Sequence, residues 1–354
     1  MLNFNDIFVD DTKYGMKIPK EKYLSVGLYP VIDQSKEQIA GYTDESEGIY
    51  CDVPAIIFGD HTRIIKYIDV PFFLGADGTK LLKIKDNTAF NCKYLYYALS
   101  NAKIPNTGYN RHFKWLKELS FNIPSIEKQR EIADLMDIIV NLENLRKKQL
   151  EKLELFVKSR FIEMFGDPIR NDKFWPINKL KDVTIKIGSG ATPKGGKESY
   201  PNEGIYFIRS LNVHDGLFEF KDLAHLTENQ AKLLNNVSVE QGDVLLNITG
   251  ASVARTCVVP NEILPARVNQ HVSIIRCNKN FLNSTFMNRQ FLSDSFKRIL
   301  LNMGEAGGAT RQAITKQQLE DTTVIVPPIT LQKEYASFVM QVDKSKFVVT
   351  AKFQ

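Results

Sequence analysis

The stretch SIEKQREIADLMDIIVNLENLRKKQLEKLELFVKSRFIEMF, Ser125 to Phe165, decides the fold of this chain. It holds no glycine and no proline and is dense in strong helix formers. Ile132, Leu135, Ile139 and Leu142 recur at helical steps, and Leu150, Leu153, Val157, Phe161 and Met164 carry the pattern on. That is the apolar stripe of a long helix. Ser125, with Lys128 and Gln129 behind it, predicts an N-cap, and Gly166-Asp167-Pro168 predicts a hard stop. About forty residues rising 1.5 Å each make a rod of roughly 60 Å. The stripe falters where Arg146 and Gln149 fall near the seam, so a strict heptad is not kept. Such a helix either packs on its own domain or spaces two domains apart as part of a coiled coil. Strand-rich sequence on both sides favours the spacer.

The chain has 354 residues, enough for two or three domains with cores of their own. Hydrophobic residues make up 43%, and the mean hydropathy of −0.23 is that of a soluble globular protein. The formal net charge of +5 permits a nucleic-acid partner without requiring one. The start, MLNFNDIFVDD, lacks a basic region followed by an apolar core, so no signal peptide is expected. No apolar run approaches the roughly 18 residues of a membrane span, and a cytoplasmic protein with no membrane partner is expected. Cys51, Cys92, Cys257 and Cys277 form no CxxC pair and lie at no metal-ligand spacing from a histidine, so free thiols are expected and no metal site.

Residues 1–124 read as a first mixed domain. Ile56 to Leu74 has a hairpin pattern with a polar turn at Phe58–Thr62, Leu81–Ile84 is a strand, and Lys93–Ile104 is a short helix. Residues 125–172 are the helical spacer. Residues 173–328 read as a second mixed domain. There, Asp243–Val259 is strand, glycine turn and strand, and Arg267–Cys277 is one further strand. Residues 329–354 begin a second helix, which the β-branched residues of KFVVTAKFQ are expected to break.

The two halves repeat. GYNR at Gly108–Arg111 and GATR at Gly308–Arg311 lie 200 residues apart, and LKELSFNIPSIEKQ at Leu116–Gln129 matches LEDTTVIVPPITLQ at Leu319–Gln332 at an offset of 203. KYLYYALS and FMNRQFLS occupy equivalent places, and AIIFGDHTR is loosely like LLNITGASVAR. The matched order of strand, helix, glycine loop, helix, strand, proline and long helix implies an internal duplication. Two helical arms joined in this way can pack antiparallel.

Catalytic signatures are missing. GSGATPKGGK, Gly188–Lys197, lacks the spacing of a phosphate loop, and no HExxH or dinucleotide fingerprint occurs. Pro327-Pro328 lacks the preceding Asn and following aromatic of an amino-methyltransferase. What remains is recognition. Polar turns beside strands carry His61, Thr62 and Arg63, and Asn106, Tyr109, Asn110, Arg111 and His112. In the second half they carry Thr192, Lys194, Lys197, Arg209, Asn212, Arg255, Asn269, Gln270, His271 and Arg311. Arg and Lys donate to guanine or hold phosphate, and Asn and Gln pair with adenine. Gly188–Lys197 is either a phosphate contact or a plain solvent loop.

The pattern resembles the specificity (S) subunit of type I restriction–modification systems. The resemblance rests on IPSIEKQREIADLMD (Ile123–Asp137), KLELFVKSRFIEMFGDP (Lys152–Pro168), VPPITLQKEYASFVMQVDKSK (Val326–Lys346) and GDVLLNITGASVAR (Gly242–Arg255), and it spans essentially the whole chain. It implies an α+β protein with two similar mixed target recognition domains. Long helices would join them and form an antiparallel coiled coil, the second helix being truncated. Each domain would read one half of a bipartite double-stranded DNA site. The helices would set the gap and dock modification (methyltransferase) subunits, which bind S-adenosylmethionine and methylate adenine. Restriction subunits would add ATP-dependent cleavage. The S subunit would itself be non-catalytic and need no cofactor. Gln129 and Ile132 fall at the start of the first conserved helix and Gln332 at the start of the second. The short second helix leaves open association with another copy of the chain.

Overall fold

The computed structural model describes residues 1–351 apart from 76–77, 109, 194–199 and 306–311, with backbone alone at 347–351. The chain divides into two compact units, Met1–Leu145 and Arg146–Gln354.

The first unit contains β1 (Phe8–Asp10), β2 (Tyr29–Ile32), β3 (Gly41–Thr43), β4 (Ala55–Gly59), β5 (Ile65–Ile68), β6 (Phe73–Leu74), β7 (Thr79–Ile84) and helix α1 (Cys92–Ser100). One antiparallel sheet has the order β1-β7-β4-β5. The other is β3-β2-β6, with β2 and β6 parallel. Helix α2 is Ile126–Phe165, 40 residues in one piece, and joins the two units.

The second unit continues with β8 (Thr184–Ser189), β9 (Ile205–Ile208), β10 (Ala224–Leu226), β11 (Ser238–Val239), β12 (Val244–Asn247), β13 (Thr256–Val258), β14 (Ala266–Val268), β15 (Val272–Cys277), α3 (Ser284–Leu292) and α4 (Ile329–Ala351). Its sheets are β8-β15-β12-β13, antiparallel, and β10-β9-β14-β11, with β9 and β14 parallel. The first order repeats β1-β7-β4-β5 strand for strand, and the parallel pair β9–β14 repeats β2–β6. The duplication seen in the residues is therefore a duplication of topology. The central strands β4 and β12 are buried at every position, which is why AIIFG and VLLN read as continuous apolar runs rather than alternating ones.

Two expectations change. Arg267–Cys277 is not one strand. Its chain leaves one sheet at Val268, turns through 269–271 and enters the other at Val272. The second helix does not break at its β-branched residues but stays helical to Ala351. Each such residue costs only about half a kcal/mol of helix propensity, too little to end a helix that is already nucleated and packed.

Helix α2 is held differently along its length. Within the first unit its packed face is Gln129, Ala133 and Asp137. Gln129 is fully buried, and Asp137 accepts from Tyr97 Oη (2.6 Å) and pairs with Lys93 (2.7 Å). Leu135, Ile139 and Leu142 of the predicted stripe stay exposed, with Ile138 and Leu145 beside them, while Ile132 is half-buried. Within the second unit the stripe is covered. Val157 and Phe161, with Phe165, are buried against α3 and Tyr335, Val339 and Val342 of α4, while Leu150 and Leu153 are half-buried. The pairs Glu154–Lys346, Phe156–Phe338 and Arg160–Glu334 run in opposite directions along the two helices, so the packing is antiparallel.

Glu154 is the charged knot of this seam, 2.5 Å from Arg289 and 2.7 Å from Lys346. Burial pushes its carboxyl upward, but the Arg289 charge and the Lys346 contact outweigh that and hold it below the ordinary glutamate value. A carboxyl lowered on folding adds stability above its unfolded pKa and loses it as pH falls through the folded one. We expect Glu154→Gln to flatten the fall in stability below about pH 4.5 and to leave its slope near neutrality unchanged. Urea midpoints measured from pH 3 to 7 would test this, and parallel curves for both proteins would refute it.

The thiols divide by burial. Cys51 is exposed, whereas Cys92, Cys257 and Cys277 are buried and pushed up to about 12 by desolvation. Because the thiolate is the nucleophile, a thiol reagent near pH 8 should label Cys51 alone in the native chain and all four cysteines after denaturation. Mass spectrometry showing rapid native labelling of a buried cysteine would contradict this burial.

Candidate nucleic-acid interface

In the first domain the turn between β4 and β5 carries three of the predicted residues. Asp60 anchors it. Its N–H donates to Gly78 O (2.7 Å), and its carboxylate accepts from Phe113 N (2.7 Å). Its carbonyl accepts from His112 N (2.8 Å) and lies 2.9 Å from His112 Nδ1. A carbonyl can only accept, so that contact places the imidazole proton on Nδ1. His112 is fully buried and fixes the turn from behind. Thr62 Oγ1 donates to Gln34 O (2.8 Å), and His61 N donates to Gln34 Oε1 (3.1 Å). Arg63 has a φ of 60° and reaches Ile104 O with one guanidinium nitrogen (3.3 Å). Asn106 and Asn110 shape the following loop, through Gly108 N to Asn106 Oδ1 (3.2 Å) and Asn110 Nδ2 to Thr107 O (2.5 Å). Arg111 is exposed. Tyr109 lies outside the described residues.

The second domain sorts its candidates in the same way. Asn212 is fully buried. It accepts from Arg209 N (3.0 Å) and donates to Glu219 O (3.0 Å) and Lys221 O (3.2 Å). Arg209 donates to Asp222 O (2.5 Å) and lies over the Tyr200 ring. Asn269 is buried and accepts from His271 N (3.0 Å), which shapes the crossing between sheets. Thr192 and Gln270 are exposed. Lys194, Lys197 and Arg311 lie outside the described residues. Thus His112, Asn212 and Asn269 hold turns from within, whereas Arg111, Thr192 and Gln270 are exposed.

The structure brings two predicted residues together, Arg255 and His271. They line one open cleft with Ser210, Thr249 and Gln312. Thr249 Oγ1 lies 2.6 Å from His271 Nδ1 and fixes the ring. Asn247, buried, donates to Ser210 O (2.8 Å) and Val213 O (3.3 Å) behind it. Reading the sequence missed Ser210, Thr249 and Gln312. The signal was available only through the duplication, because Ile248–Ala254 is the second domain's form of the Asp60–Arg63 turn. Among the described residues no three His, Cys, Asp or Glu side chains gather as a metal site, and no helix is long and apolar enough to cross a membrane.

Comparison with known proteins finds relatives of the chain. The specificity subunit of the type I restriction enzyme MjaIX from Methanocaldococcus jannaschii is 26% identical over 247 residues, covering 63% of this chain and 54% of that protein. The chain thus spans about half the length of that relative. The EcoR124I/EcoR124II specificity subunit of Escherichia coli is 23% identical over 282 residues, 77% of this chain and 69% of that one. The crystal structure of a type I restriction–modification S subunit from M. genitalium shares the fold with a TM-score of 0.64 at 15% identity, over 98% of this chain and 90% of that one. The family model for the type I restriction modification DNA specificity domain matches residues 3–155 and 173–352. With both copies of the repeat matched, the chain belongs to the type I restriction–modification DNA specificity family.

Proposed function

We propose that this chain is the sequence-reading component of a type I restriction–modification assembly. Each domain reads one half of a bipartite site on double-stranded DNA, and the helices set the unread gap. The observation that carries this reading is the same two-sheet topology on either side of one uninterrupted 40-residue helix. A duplicated reader implies two contacts with the duplex, one for each copy. The exposed residues Leu135, Ile138, Ile139, Leu142 and Leu145 give the helix an apolar face for partner subunits. We assign that face to modification subunits, which supply S-adenosylmethionine and the methyl transfer. Restriction subunits complete the assembly. The chain contributes recognition and no catalytic group.

A second reading draws on the same exposed stripe. Leu135, Ile138, Ile139, Leu142 and Leu145 stay exposed along α2, and a second copy of the chain is an alternative cover for them. Analytical ultracentrifugation of the chain with and without modification subunits distinguishes the two.

Selection from a random-sequence duplex library by the assembled complex tests the main reading. Two short motifs at one fixed spacing are expected. A single continuous motif would contradict it, and so would adenine methylation by the purified chain alone.

A further inference from the structure

The two domains differ at a place that their topology makes equivalent. Asp60 N donates to Gly78 O at 2.7 Å, as Ile248 N does to His271 O at 3.0 Å. His112 N donates to Asp60 O and Ile314 N to Ile248 O, each at 2.8 Å. Asp60 therefore stands for Ile248, Gly78 for His271 and His112 for Ile314. Both turns close on a residue with positive φ, Arg63 (60°) and Ala254 (67°), whose N–H returns to Gly59 O and Asn247 O. The second turn is the longer. Seven residues separate Asn247 from Arg255, where four separate Gly59 from Ile64.

The added length changes what the turn encloses. In the first domain Gln34 sits at the equivalent place, its Oε1 accepting from His61 N and its backbone carbonyl from Thr62 Oγ1. A Cβ on Gly78 would collide with Gln34 Nε2 and come within 2.7 Å of His61 Cδ2, so only glycine fits there. In the second domain the same position is His271, and a cleft of about 670 Å³ stands open beside it. Thr249 fixes the imidazole, and Gln312 O, accepting from Gly250 N at 2.9 Å, ties the far wall to the turn. Arg255 lines the cleft half-exposed, and its guanidinium makes no hydrogen bond or ion pair among the described residues.

We propose that this cleft seats the sugar–phosphate ridge of one DNA strand, with Arg255 on a phosphate oxygen, and that the first domain has no counterpart because Gln34 fills it. The proposal rests on the DNA-recognition reading above. Shape decides between phosphate and base. Base edges lie at the floor of a groove about 8.5 Å deep and are reached by protruding elements, whereas the phosphate ridge projects and fits a concavity. The lining suits an anion: among the described residues it offers the Arg255 guanidinium and the Ser210 hydroxyl and no carboxylate. A contact of this kind positions the duplex without carrying sequence information.

The test uses the full chain assembled with its modification subunits. Affinity for the selected site and for scrambled duplex is measured across a salt series for wild type, Arg255→Ala and Arg255→Lys. For Arg255→Ala, both affinities should fall several-fold by the same factor, the slope of log K against log salt should shrink by about 1, and the selected motifs should not change. Arg255→Lys should recover most of the loss, because an ammonium serves a phosphate as a point charge but does not replace a bidentate base contact. Relaxed preference at one base pair with an unchanged salt slope would overturn the proposal, as would unchanged affinity. If wild type selected no motif while Arg255→Ala still lowered the slope, the recognition reading would fail and the phosphate seat would stand.

Discussion

Gln332→Leu is expected to destabilise the second domain by about 3 kcal/mol or more, a large share of what one domain has to lose. Gln332 is fully buried at the first turn of α4. Its Oε1 accepts from Asn283 N (2.9 Å), and its Nε2 donates to Phe281 O (2.9 Å) and Pro327 O (2.7 Å). One side chain thus binds the N-cap residue of α3, the strand-end loop before it and the proline that launches α4. Leucine matches its volume but strands one donor and two acceptors away from water, each worth about 1–3 kcal/mol when left unpaired. Gln129 makes the same three bonds in the first domain, to Asn91 N (2.9 Å), Ala89 O (3.0 Å) and Pro124 O (2.9 Å), so Gln129→Leu should cost that domain a similar amount. Glutamate in place of either should be no better, since a carboxylate would face two carbonyls. Urea unfolding of each variant measures this, and a loss under about 1 kcal/mol would show that the clamp is replaceable.

That glutamine marks what the sequence could and could not disclose. The match between LKELSFNIPSIEKQ and LEDTTVIVPPITLQ placed both glutamines at equivalent points, and periodicity placed the helix within a residue of its observed start at Ile126. Ser125 does cap it, its Oγ accepting from Lys128 N at 3.4 Å, and the helix stops at Gly166 with a φ of 73°. The role of Gln129 was hidden because its partners lie far back along the chain, at Ala89 and Asn91. The same limit applies to the candidate interface. A polar residue in a turn pattern gives no sign of whether it faces the solvent or the core, and His112, Asn212 and Asn269 face the core. Periodicity likewise defines an apolar face without saying what covers it. Leu135, Ile139 and Leu142 share one stripe with Val157 and Phe161, yet only the latter two are buried. Strand order was not legible either, because the pairing of β4 with both β5 and β7 depends on contacts that no local pattern records.

The covered part of that stripe carries the other large effect. Phe161 is 2% exposed and meets three rings. It lies at 5.2 Å from Phe165, stacked on Phe286 at 5.6 Å, and edge-on to Tyr335 at 5.6 Å. Tyr335 is itself fixed, its hydroxyl donating to Val157 O at 3.1 Å. These rings come from α2, α3 and α4, so Phe161 is the point where all three helices share one core. Phe161→Ala removes a buried aromatic whose neighbours are tied in place and cannot collapse into the space, which puts the loss at about 3–5 kcal/mol. Phe161→Leu should cost less, because it leaves a smaller void. Ile162→Ala, one residue on and 47% exposed, should change stability by about 0.5 kcal/mol or less. The ordering Phe161→Ala, then Phe161→Leu, then Ile162→Ala in urea midpoint is the expected result. If Ile162→Ala cost as much as Phe161→Ala, the packed face of α2 would lie elsewhere. The consequence for function follows from the seam. The last turns of α2 belong to the core of the second domain, so under the proposed reading the helix that sets the DNA gap is anchored at that end by packing. For Phe161→Ala, affinity for the full bipartite site should fall more than affinity for the second half-site alone, since only the former depends on a fixed spacing. Equal losses on both duplexes would mean that the seam stabilises the domain without holding the gap.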